Sequence, residues 1–255
     1  MPLFSKTLLT ASAVAIAASL AFSQPAAALD DQQKQEFGDF IKEYLISHPE
    51  VMLDVQAALD KKQEEARLVQ TNKAVSENKD AIFNAKDDIA IGNPKGDVTV
   101  VEFFDYNCGY CRHALSDMDA LLKKDTNIRF VLKEFPILGP ESVAASKVSD
   151  AFRKLAPEKY GQFHHALLGS DGRATEATAL DVAKSLGVSE KSIREEMAKS
   201  PDDASVKATY QLATDLGLTG TPSYVIGNEA ISGAIGLDAL SEKIGNVRNC
   251  GKTIC

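Results

Sequence analysis

Tryptophan is absent from the 255 residues, cysteine and histidine occur four times each, and no run beyond residue 28 is long and apolar enough to span a bilayer. Four cysteines are too few for a small disulfide-stapled scaffold, so the core must come from aliphatic and phenylalanine side chains. Positive charge is also short: 28 Lys and Arg stand against 36 Asp and Glu. That balance excludes the basic footprint expected of a nucleic-acid or anionic-lipid binder. Gly233, Gly236 and Gly245 make no phosphate-binding pattern.

Residues 1–28 read as an export signal. Lys6 supplies the positive start, residues 8–22 are uncharged and apolar, and Ala26-Ala27-Ala28 offers small residues for cleavage. An uncleaved anchor is the alternative, but the run is short and rich in alanine. Cleavage before Leu29 is expected to leave 227 residues carrying 27 basic and 36 acidic side chains, a net charge of −9. The mature protein is then expected to be soluble and periplasmic, where disulfides persist.

Residues 29–90 are helical and polar in pattern, a candidate N-terminal arm. Phe37, Phe40, Ile41, Tyr44 and Leu45 recur at helical spacing, and Ser47-His48-Pro49-Glu50 matches a capping box that would start a second helix. Val51, Met52, Val55, Ala58 and Leu59 make a second stripe, after which the sequence turns largely charged. Two readings compete: the stripes pack on the chain's own domain, or residues 29–86 self-associate with the polar half as a spacer. The second is favoured because so long an arm has little else to pack on.

After a turn-rich boundary, a domain over residues 91–255 begins with the strand pattern 98–104. A second strand pattern covers 128–135, and helical pieces then fill about 140–217 as an insertion. Strands return at 223–226 and 230–232 around Gly227-Asn228-Glu229, followed by a last helix over about 237–247.

Cys108-Gly109-Tyr110-Cys111 lies between the first strand and the helix over 112–124. Two thiols so spaced form a redox pair, and unpaired N–H groups at the helix start favour Cys108 as thiolate. The alternative, half a zinc site, lacks partners, because Cys250 and Cys255 have a different spacing and follow the last helix. No metal or other cofactor is expected. Cys250 and Cys255 are expected to close a short structural disulfide, with a second redox relay as the alternative. His164-His165 reads as surface or packing residues, and the Asp87-Asp88 and Asp202-Asp203 pairs as solvated helix ends or caps.

The segment 101–111, Lys133-Glu134-Phe135-Pro136 and Gly220-Thr221-Pro222-Ser223-Tyr224-Val225 resemble the DsbA-type thiol-disulfide oxidoreductases over about 97–247. The arm is similar to that of the ScsC-like branch, some of whose members oligomerise through it and act as isomerases. The resemblance implies an α/β thioredoxin-like fold with an inserted helical domain, preceded by the α-helical arm. It implies Cys108 as the exposed nucleophile, Cys111 as the shielded resolving partner, and Thr221-Pro222 as a cis-proline loop that offers backbone to substrate, with a trans proline starting an edge strand as the alternative. Glu102 falls where relatives keep a buried acid that relays the Cys111 proton; the competing reading is a structural carboxylate bonded to Lys133. Gly109-Tyr110 departs from the Pro-His pair of the strongest oxidants, so a milder oxidant is expected, with Cys108 relying more on the helix terminus and Tyr110 facing substrate. The partners implied are exported client proteins with cysteines and a membrane redox partner. Open alternatives are an oligomeric isomerase kept reduced, and a non-enzymatic chaperone or metal-buffering module on the same fold.

Overall fold

A computed structural model describes residues 29–85, 88–199 and 204–255. The expected export signal, and Asp87, Asp202 and Asp203, lie outside the described residues. The chain divides into two compact units between Lys62 and Gln63. No helix among the described residues is long and apolar enough to cross a membrane.

In the first unit, helix α1 (Asp31–Ser47) starts at a capping box that the sequence reading did not single out: Asp30 accepts from the Gln33 N–H at 2.8 Å, and Gln33 accepts from the Asp30 N–H at 3.1 Å. The box expected at Ser47–Glu50 does not form. The Ser47 hydroxyl turns back to the Glu43 carbonyl, and α2 (Glu50–Glu77) begins with Val51 and Met52 N–H groups on the His48 and Pro49 carbonyls. Phe37, Phe40, Ile41 and Tyr44 on α1, and Met52, Val55 and Leu59 on α2, remain exposed.

The second unit corrects the expectation of a polar spacer. The end of α2 and the short α3 (Lys79–Phe83) bury Val75 and Ile82 in its core. Arg67 donates to Glu229 at 3.3 Å and to the Ala230 carbonyl at 3.2 Å, and Asn72 accepts from Asn228 at 2.6 Å. A sparse apolar stripe suffices here because polar side chains hold the helix as well.

The sheet order is β1-β3-β2-β4-β5. Strand β2 (Val98–Phe104) is central, parallel to β3 (Ile128–Glu134) and antiparallel to β4 (Ser223–Ile226). Strand β5 (Glu229–Ser232) pairs with β4, and β1 (Ala90–Gly92) pairs antiparallel with β3. Strand β2 is almost wholly buried because both faces are covered. Val100 and Phe104 pack on one side with α4 (Gly109–Lys124) and the final helix; Val101 and Phe103 pack on the other with Val75 and Ile82.

Between β3 and β4 the chain runs through α5 (Pro140–Leu155), a 3-10 turn at Pro157–Lys159, α6 (Tyr160–Leu168), α7 (Glu176–Ser185), α8 (Glu190–Lys199) and α9 (Ala204–Asp215). The final helix, α10 (Gly236–Cys250), ends on Gly251 at φ +77°, a left-handed position that a side chain would strain. Asp88, expected as a solvated cap, is instead buried against Lys133, whose ammonium sits 2.8 Å from both of its carboxylate oxygens. Burial pushes the Asp88 carboxyl up and the Lys133 amine down, while their mutual attraction opposes both shifts.

Candidate active site

The strand-to-helix junction builds the site. Cys108 is the N-cap of α4, in extended backbone geometry, and the N–H groups of Tyr110 and Cys111 in the first turn point to its sulfur. Both cysteines carry free thiols. The Cys111 thiol donates to the Cys108 sulfur, and this is the main reason the Cys108 pKa is pulled down to about 5. The backbone N–H groups of Cys111 and Tyr110 add to the effect, while the buried Thr221 hydroxyl has no hydrogen-bond partner among the described residues. The helix start therefore contributes, but it ranks behind the neighbouring thiol, contrary to the emphasis drawn from sequence. Donation to Cys108 and burial push the Cys111 thiol far above its ordinary value.

Thr221 and Pro222 enter β4 from the far side of the insertion, and their peptide bond is cis. The Cys108 sulfur lies 3.1 Å from the Thr221 carbonyl oxygen. This loop covers the nucleophile: Cys108 is 6% exposed rather than open, and Cys111 is fully buried. Tyr110 behaves oppositely, with 72% of its surface exposed beside the sulfur.

Glu102 lies on β2 between Leu132 of β3 and Tyr224 of β4, facing the layer that contains Cys111. Burial pushes its pKa up to about 8, with the Cys108 charge adding to the effect. The alternative bond to Lys133 is overturned, because Lys133 reaches Asp88 and the Ala81 carbonyl. Cys250 and Cys255 are joined in a disulfide below α10. Inside that loop the buried Thr253 donates its N–H to Asn228 at 3.1 Å.

Two neighbours of the cysteine pair escaped the sequence reading. Asp105 accepts from the Asn107 N–H at 2.8 Å and the Leu138 N–H at 2.9 Å, fixing the turn before Cys108. Asn107 bonds into the insertion at Ser142 and Ala174. The only signal was the alternation Asp-Tyr-Asn, since both Asx residues favour side-chain-stabilised turns. His164 is buried among Phe104, Tyr106 and Tyr160, and burial lowers its pKa to about 3. His165 is partly exposed and meets Asp119 at 3.0 Å.

A mixed sheet with a cysteine pair at the start of α4, facing a cis-proline loop, defines a thioredoxin-type domain. Residues 99–245 match the DSBA-like thioredoxin domain, and the chain belongs to that family. Residues 33–66 match the copper resistance protein ScsC N-terminal domain. A thioredoxin-like oxidoreductase from Silicibacter pomeroyi is 38% identical with a TM-score of 0.64, covering 68% of this chain and 99% of its own. The thiol-disulfide exchange protein alpha-DsbA2 from Wolbachia pipientis is 32% identical with a TM-score of 0.66, covering 71% and 98%. Proteus mirabilis ScsC in a transitional conformation is 25% identical with a TM-score of 0.62, covering 86% and 96%. The chain also spans 24% of the length of two Na(+)/H(+) antiporters from Salinispora, which it matches over 60% of its own length.

Proposed function

We infer that the chain is a thiol-disulfide oxidoreductase acting on the cysteines of other exported proteins. The supporting observation is the Cys108 sulfur, held as thiolate near neutral pH by the Cys111 thiol and two backbone N–H groups, with Thr221 at its side. In the oxidising direction a substrate thiolate attacks Cys108 of the closed pair. The Cys108–Cys111 bond breaks, and Cys111 leaves and takes a proton from the Glu102 carboxyl. A second substrate thiolate then attacks the substrate sulfur of the mixed disulfide and releases Cys108 as thiolate. The substrate loses two electrons and the pair gains them; the reverse sequence reduces a substrate disulfide. Thr221 and Pro222 hold the substrate segment, and Tyr110 contacts it from the exposed side.

Thiol trapping in cells tests the direction, with turnover of a peptide disulfide as the activity readout. An oxidase keeps Cys108 and Cys111 mostly joined; an isomerase or reductase keeps them mostly as thiols. Cys108→Ala is expected to abolish turnover, and retained turnover would overturn the assignment.

The exposed stripes of α1 and early α2 favour a further element of this reading, self-association of the arm. No residue of α1 is buried, although Phe37, Phe40, Ile41 and Tyr44 line one face. Light scattering is expected to give a multiple of the chain mass for the mature protein and a monomer after deletion of residues 29–60. A monomer in both cases removes the arm from the assembly.

A further inference from the structure

We propose that Asn107 is a positioning residue that clamps the helical insertion to the turn carrying Cys108, and so fixes the rim past which a polypeptide reaches the sulfur. The inference rests on the oxidoreductase reading for its functional half, while the clamp itself is a statement about structure. Asn107 sits directly before the nucleophile and uses its whole amide. The Nδ2 group donates to the Ala174 carbonyl at 2.9 Å and to the Ser142 hydroxyl at 3.0 Å, while Oδ1 accepts from the Ala174 N–H at 2.8 Å. Both backbone groups of Ala174 are thus met by one side chain, in the manner of a strand pair. Ala174 and Ser142 are both buried, so losing the amide leaves polar groups unpaired away from water.

Ala174 closes the link between α6 and α7, and a second residue of the site holds the other end of that link. Arg112, one residue after Cys111, donates to the Leu168 carbonyl at 3.1 Å and to the Gly172 carbonyl at 3.4 Å. The turn before the cysteine pair and the helix after it therefore grip the same stretch, residues 168–174. On the opposite side of Tyr106, Asp105 holds Leu138, where the chain leaves the sheet for the insertion. Tyr106 itself donates to or accepts from Ser149 of α5 at 2.9 Å. The insertion is fastened to the thioredoxin layer at the residues that present the nucleophile.

None of the three Asn107 bonds touches sulfur. The clamp should govern access by large substrates and leave the thiolate's own chemistry alone. A small disulfide needs only the sulfur; a polypeptide must also pass the 168–174 link that Asn107 and Arg112 hold.

The test compares Asn107→Ala with the wild-type full chain in three measurements. Amide hydrogen exchange across residues 168–174 is expected to rise about tenfold, the size of a lost buried hydrogen-bond pair. Turnover of a cysteine-bridged peptide should fall by roughly tenfold, mostly through KM, while turnover of a small aromatic disulfide holds. The Cys108 titration midpoint should stay in place. Unchanged protection of 168–174 overturns the clamp. Equal losses toward both disulfides with a displaced midpoint also overturn it, since Asn107 would then act on the sulfur. Should Asn107→Ala fail to fold, Ser142→Ala removes one of the three bonds and Arg112→Gln releases the other end; each is expected to raise exchange in the same segment, and protection unchanged in both rejects the proposal. A wild type inert toward both disulfides refutes the oxidoreductase reading, whereas the exchange measurement still judges the clamp.

Discussion

Cys111→Ala is expected to produce a protein that captures substrates and cannot release them. With the second thiol gone, a mixed disulfide at Cys108 waits for an external thiol in place of a neighbour already in line. Loss of that intramolecular step should slow turnover about a hundredfold or more, with covalent complexes visible on non-reducing gels. The same substitution removes the first cause of the low Cys108 pKa, so its thiolate titration should move up from about 5. A midpoint that stays near 5 would mean that the backbone N–H groups hold the charge without help from Cys111.

The sign of this shift bears on direction. Cys108 ionises in the folded reduced chain near 5, against an ordinary value of 9.0. The folded form therefore binds fewer protons than the unfolded one between those values. The resulting stabilisation of the dithiol is complete above pH 9 and disappears as pH falls through about 5. A disulfide has no such charge to stabilise, so near neutrality the thiolate favours the reduced state of the pair. The reduced protein is expected to melt above the oxidised one at pH 7, and the gap should close below pH 5.

Glu102→Gln is the second substitution with a large expected effect. The wild-type carboxyl ionises near 8 because it is buried and because the Cys108 thiolate repels its charge. Once Cys108 is tied up in a mixed disulfide that repulsion ends and the Glu102 pKa falls, so more of the carboxyl is ionised and free to accept a proton at the moment Cys111 must lose its own. Glutamine cannot accept it, and release from the mixed disulfide should slow by about a hundredfold just below pH 8. The window lies this high because full burial raises the carboxyl so far. Stability should move the other way. Glu102 binds a proton more tightly when folded, so its contribution is complete below its ordinary value of 4.5 and is lost as pH rises through about 8. Glu102→Gln should therefore outlast the wild type on heating at alkaline pH. A rate profile identical to wild type would remove Glu102 from proton transfer.

Much of the sheet was legible because its central strands are largely apolar runs that end near Asp105 and Pro136. Helix α5 was legible from Pro140 at its first turn and the apolar spacing behind it. Strand β1 was not, since the half-buried Ala90 and Ile91 and the exposed Gly92, just ahead of Asn93-Pro94, gain strand geometry only by pairing with β3. The docked end of α2 was hidden for a related reason: Arg67 and Asn72 read as solvent-facing until Glu229 and Asn228 arrive from more than a hundred residues away. The cysteine pair announced itself by spacing, and Glu102 by a charge within an apolar strand. The burial of Cys108 depends on Thr221, and the role of Asn107 on Ala174, contacts that neither local pattern encodes.

The insertion also has a consequence for the order of assembly. Strand β2 meets β3 across only about 30 residues, whereas its pairing with β4 must close a loop of roughly 120. Closure entropy favours the β2–β3 pair and α4 forming first, with Thr221 arriving once α5–α9 have condensed. During maturation the reactive sulfur thus precedes the wall that later covers it, and a newly made chain presents an unguarded nucleophile to whatever disulfides surround it.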